Sequence, residues 1–171
     1  MNEKIGRIYF GFFGIVTLVF GIADLMVAIG GNDFSWGILE ISSDMFRGGW
    51  GGLIVVFAGL FYLSSLKNFL EIHQFSKALM ASILIWILAG TDIFVRITES
   101  IPGGEKGPWF NSLEGFLDTY TPPYPPVIFL LPFSLIILFF VGKREKAFLS
   151  HFPIDMIHKS LKKLNVLKYK K

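Results

Sequence analysis

The chain has 171 residues, 53% of them hydrophobic and 17% charged, with a formal net charge of +3 and no cysteine. A mean hydropathy of +0.58 is too apolar for an ordinary water-soluble domain, and the length suits one domain. The missing cysteine excludes disulfides, thiolate nucleophiles, thiolate zinc sites and cysteine-linked haem.

Four apolar runs follow in chain order, at about 8–29, 50–66, 78–97 and 124–141. A bilayer core ~30 Å thick needs about 20 helical residues to cross it. The expected fold class is therefore an all-α integral membrane protein with four transmembrane helices. Residues 1–142 form the four-helix domain, and 143–171 form a basic cytoplasmic tail. The first run is too long for the apolar core of a cleavable signal, and no small-x-small site precedes a polar segment, so it is expected to be retained.

In the first run Gly14, Gly21 and Ala28 recur at heptad spacing, interleaved with Thr17 and Asp24. Gly48, Gly52 and Gly59 mark the second, and Ala78, Ala81, Ser82, Ala89 and Asp92 share a face of the third. Small residues let helix backbones approach where lipid supplies no hydrophobic drive, so Gly14, Gly21, Gly52, Gly59 and Ala89 are the expected packing positions. The fourth run follows a stiff extended lead-in, Tyr120–Pro126, and contains Pro132, which is expected to kink it.

A long loop follows the first run and another the third. Each carries an apolar-aromatic stretch, Trp36–Glu40 and Trp109–Glu114, read here as a short helix lying at the outer interface. Trp36, Trp50 and Trp109 are the expected interfacial anchors. The halves also echo each other: Ile22–Ile29 and Gly90–Ile97 align Asp24 with Asp92, Leu25 with Ile93, Val27 with Val95 and Ile29 with Ile97. Two parallel-repeat hairpins with long outer loops would account for this.

Basic residues set orientation. Lys4, Arg7, Lys67, Lys77 and nine lysines and arginines after Val141 lie on one side, whereas the two long loops are acidic. Both termini are therefore expected to be cytoplasmic, with the plasma membrane as location. The tail from Ile154 to Leu167 spaces Ile154, Ile157, Leu161, Leu164 and Leu167 between lysines, the pattern of an amphipathic interfacial helix on anionic lipid headgroups. The basicity is thus a topology signal, and nucleic acid is not an expected partner.

Asp24 and Asp92 each sit five residues before the end of their run, roughly 8 Å below the outer boundary at 1.5 Å per residue. A carboxylate at that depth is a functional hypothesis by default. Arg96, one turn after Asp92, is its expected partner. Ala28 occupies the equivalent place beside Asp24, which must look to Arg47 or across to Arg96. The four charges form either a structural ion-pair network or a possible ion site. No Ser/His/Asp arrangement, phosphate loop or metal-ligand spacing accompanies them. No metal, cofactor or enzymatic activity is expected. The expected role is a non-catalytic small subunit or scaffold, with other membrane subunits or further copies of itself as partners. The alternative is a small ion- or proton-coupled transporter or channel using Asp24 and Asp92.

Overall fold

The computed structural model describes residues 3–67, 69, 71–99 and 122–151. The chain is mostly helical, and four helices are long and apolar enough to cross a membrane: Lys4–Gly30, Met45–Ser64, Ile72–Thr98 and Pro126–Arg144. The elements are α1 (Glu3–Gly30), β1 (Phe34–Trp36), β2 (Leu39–Ile41), a π-helical segment (Met45–Gly51), α2 (Gly52–Ser64), α3 (Ile72–Glu99), α4 (Pro126–Ser134) and α5 (Ile136–His151). Trp109, the Trp109–Glu114 stretch and the tail pattern Ile154–Leu167 lie outside the described residues. The chain divides into a compact unit that ends at Ile137 and another from Leu138 onward. In the latter Phe139 and Phe140 meet edge-on at 5.9 Å, and the Lys143 Nζ lies 4.4 Å from the Phe139 ring.

Burial is inverted relative to a water-soluble bundle. On α1, Ile8, Phe12, Ile15, Val19, Ile22 and Met26 are exposed at alternating steps of four and three. Its buried positions include Gly14, Thr17, Gly21 and Asp24. Large apolar side chains turned outward and small or polar ones turned inward suit a lipid solvent.

The inward glycines bring α1 and α2 into backbone contact. A Cβ at Gly21 would stand 2.6 Å from the Val56 nitrogen, at Gly59 2.8 Å from the Leu18 nitrogen, and at Gly14 2.9 Å from the Tyr62 Cβ. A Cβ at Gly52 would stand 2.7 Å from the Asp24 Cβ. On α3 Ala78, Ala81, Ser82, Ile85 and Ala89 are all fully buried, one stripe at helical spacing. Away from the hairpin, Phe10 lies over Tyr62 at 5.6 Å and over Phe69 at 5.2 Å, and Phe13 meets Tyr62 at 5.0 Å. Offset and edge-on ring pairs add to area burial.

The hydroxyls and the indole N–H inside this core find hydrogen-bond partners. The Tyr62 and Ser82 hydroxyls lie 2.7 Å apart, the Trp86 Nε1 donates to the Ser134 Oγ at 2.8 Å, and the Thr17 hydroxyl donates to the Phe13 carbonyl. The interruption at Leu135, between α4 and α5, falls three residues after Pro132. Proline removes a helical donor and crowds the preceding turn. Nearby, the Tyr9 hydroxyl donates to the Phe133 carbonyl at 2.9 Å, the cross-helix satisfaction that tolerates a break at membrane depth.

The first long loop is a β-hairpin, not the short helix expected for Trp36–Glu40. Gly31, at φ 68°, ends α1 in the left-handed region. Phe34 pairs with Ile41 and Trp36 with Leu39 across a two-residue turn. Gly37 leads that turn at φ 61°, the position where a hairpin turn needs glycine. The alternation Phe34-Ser35-Trp36 has strand periodicity, and the local turn overrides helical reading. Trp36 remains 76% exposed.

Seam glycines should tolerate no side chain. Gly21→Ala is expected to destabilise the bundle by ~1–3 kcal/mol through overpacking. Gly90→Ala, at a helical position with open space, should be neutral or slightly stabilising. Thermal unfolding of the two variants in one detergent distinguishes them, and equal midpoints would refute the seam.

A clasp closes the hairpin base. The Ser43 N–H and hydroxyl each donate to one Asp33 carboxylate oxygen at 2.7 Å. These bonds hold the exposed Asp33 carboxyl below its ordinary range. The lowered value sets the sign: the clasp's contribution is fully present above the ordinary carboxylate pKa and is lost as pH falls through the lowered one. Exchange of the Ser43 amide should therefore be slow near neutral pH and lose its protection as pH falls through that lowered value. Unchanged protection after Asp33→Asn would sink this assignment.

Candidate functional site

The four sequence-predicted charged residues converge. Asp24 from α1, Asp92 and Arg96 from α3, and Arg47 from the π-helical segment line one cavity of about 250 Å³ at the hairpin end of the bundle. Val55, Leu88 and Val127 supply apolar wall, and Glu40 and Ser42 bring the end of the hairpin to it.

Local sequence explains each placement. Asp44 caps the π-helical segment, accepting from the Phe46 N–H at 2.6 Å and the Arg47 N–H at 3.4 Å. Gly48 sits where a Cβ would run into the Ser42 carbonyl and press on Ala28. Gly48 and Gly51 therefore put bare backbone on the cavity wall. Irregular backbone at membrane depth is tolerated where it lines a cavity, and π-helical turns recur at functional sites.

A strand-like contact ties this wall to the opposite one. The Glu40 N–H donates to the Tyr124 carbonyl at 3.0 Å and the Tyr124 N–H to the Ile38 carbonyl at 2.8 Å. Tyr124 so pairs with β2 in parallel. Pro125 and Pro126, which follow it, continue into the cavity wall.

The pairings differ from the expected ones. Arg47 meets Asp92, its Nε 3.8 Å from the carboxylate oxygen. The expected partner of Asp92, Arg96, reaches instead to the Pro123 carbonyl at 3.0 Å and lies 5.8 Å from the Tyr124 ring centroid. Arg96 follows Asp92 by one turn, yet the lead-in to α4 offers it a carbonyl and a ring face that the isolated helix could not. Neither arginine bonds to Asp24. That residue is 6% exposed, and among the described residues it makes no hydrogen bond or ion pair. Its Cβ lies against Gly52, and the residue lines the cavity.

The packing residues Gly14, Gly21, Gly52, Gly59 and Ala89 lie buried on the helix interfaces. Trp50, in the π-helical segment, is more than half exposed. Sequence reading missed Glu40 and Ser42 as cavity residues, because only the hairpin turns them toward the helices. A strand-period triplet on either side of Gly37 was the signal available. Among the described residues no group of three or more His, Cys, Asp or Glu side chains stands together as metal ligands would.

Comparison with protein-family models, with curated proteins and with solved structures finds no match.

Arg47 and Asp92 are separated by 3.8 Å, and the Arg47 side chain is 49% exposed. A double-mutant cycle with Arg47→Gln and Asp92→Asn should give a coupling of at most about 1 kcal/mol. A coupling several times larger would mean that this pair, and not the glycine seam, holds the site together.

Proposed function

We propose that the protein is a non-catalytic small subunit or scaffold of a larger membrane assembly. In this reading it lies in the plasma membrane with both termini cytoplasmic and the hairpin outside. The two halves descend from a duplicated hairpin, which would bring Asp24 and Asp92 to equivalent depths. The basic tail lies on anionic headgroups as an amphipathic helix.

One observation carries the scaffold reading. Beyond the cavity the bundle interior is packed with the Phe10, Phe13, Tyr62 and Phe69 rings, and its hydroxyls are hydrogen-bonded to one another or to backbone. A transport path needs polar groups left free to exchange partners along it. A packed aromatic plug with hydrogen-bonded hydroxyls is the interior of a rigid body. Exposed Phe34, Trp36 and Ile38 on the hairpin then offer an apolar surface to lipid or to a neighbouring subunit.

Asp24, without a hydrogen bond or ion pair among the described residues, favours a second reading, a small ion- or proton-coupled transporter working through Asp24 and Asp92. Gentle detergent extraction followed by native mass spectrometry separates the two. The scaffold reading expects a stoichiometric complex with other subunits or with further copies, and no ion flux in proteoliposomes. A lone species that conducts ions, and stops when Asp24→Asn or Asp92→Asn is introduced without unfolding, would replace it with the transporter.

A further inference from the structure

We propose that the hairpin-end cavity is a binding site for a small organic monocation, an ammonium group on a short apolar body, with Asp24 as its anchor. A buried carboxylate left without a donor is costly unless a ligand supplies the missing donor or charge. Asp24 is such a group: 6% exposed, without hydrogen bond or ion pair among the described residues, and lining the cavity.

The charges around it select the ligand. The cavity wall carries three acids, Asp24, Glu40 and Asp92, and two arginines, Arg47 and Arg96. With all five ionised the wall sums to one negative charge, which a monocation neutralises and a dication overshoots. Arg47 already answers Asp92 at 3.8 Å, and of the other two acids Asp24 is the buried one and Glu40 only partly so. The arginines also disfavour a bare metal ion, because their guanidinium groups repel it while adding no oxygen ligand. Metal-ligand clusters of three acids or histidines are absent among the described residues.

Size and lining agree. A volume of about 250 Å³ is several times the ~30 Å³ share of one water molecule, so the cavity suits a molecule and not a single ion. Val55, Leu88 and Val127 give an alkyl body an apolar surface. The ammonium would donate N–H bonds to Asp24, charge-assisted contacts about twice as strong as neutral ones. An N–H-bearing ammonium should therefore bind more tightly than a quaternary one of similar size.

The test uses the full chain in lipid nanodiscs, titrated calorimetrically with n-butylammonium chloride at constant ionic strength held with sodium chloride. Saturable binding is expected, weakened at least tenfold by Asp24→Asn and less by Asp92→Asn. Tetramethylammonium should bind severalfold more weakly than n-butylammonium. No saturation, equal competition by sodium, or unchanged affinity in a folded Asp24→Asn protein would overturn the proposal. Should Asp24→Asn fail to fold, Leu88→Trp keeps every charge and fills the cavity. It is expected to lose binding at least tenfold, and wild-type affinity in that variant is equally fatal. Binding is read on the isolated chain and complex formation on extracted membranes, so failure of the ammonium site leaves the scaffold reading standing, and the reverse.

Discussion

The approach of α1 to α2 without intervening side chains is the constraint on which the rest of this structure depends. Four glycines, Gly14 and Gly21 on one helix and Gly52 and Gly59 on the other, each occupy a place where even a methyl group would meet its neighbour at 2.9 Å or less. In lipid no hydrophobic drive presses helices together, so close van der Waals contact is the main attraction available. The same closeness seats Asp24 on Gly52. The acid is thus buried as a consequence of packing, and it lines the cavity beside the seam.

That space exists because the backbone departs from regular helix at its rim. The π-helical segment places Gly48 and Gly51 on the wall, and Asp44 satisfies the amides that open the segment. The hairpin is secured at its base by the Asp33–Ser43 clasp and on its free edge by Tyr124. Each irregular stretch finds its hydrogen bonds within the protein, as a site near lipid requires. Beyond the rim the aromatic stack restores dense apolar packing. The charged side chains of the cavity thereby gather at the hairpin end of the bundle.

Much of this was legible in the chain, for definite reasons. The four long helices follow from run length alone, since a bilayer imposes about 20 residues per crossing. The seam glycines and Ala89 were legible because small residues repeating at helical spacing mark a face. Asp24 and Asp92 stood out because acids inside apolar runs are expensive to keep. The partners of these acids were not legible. Sequence spacing pairs Asp92 with Arg96, but Arg96 is drawn to the Pro123 carbonyl and the Tyr124 ring, and Arg47 takes Asp92. Equally hidden was the hairpin: Trp36–Glu40 is short and apolar, and helix and strand compete evenly over such a length.

By itself, then, the amino-acid sequence determined the solvent, the number of long apolar helices, the faces on which they pack and the residues too polar for their depth. These are properties of composition and period within one segment. Only the tertiary structure decided that Asp24 is buried without a hydrogen bond or ion pair among the described residues, that Glu40 and Ser42 reach the same cavity, and that Tyr124 joins the hairpin to the last membrane helix. Each of those depends on how one segment is rotated and shifted against another. A guanidinium side chain long enough to reach several acceptors chooses among them only after the helices have docked.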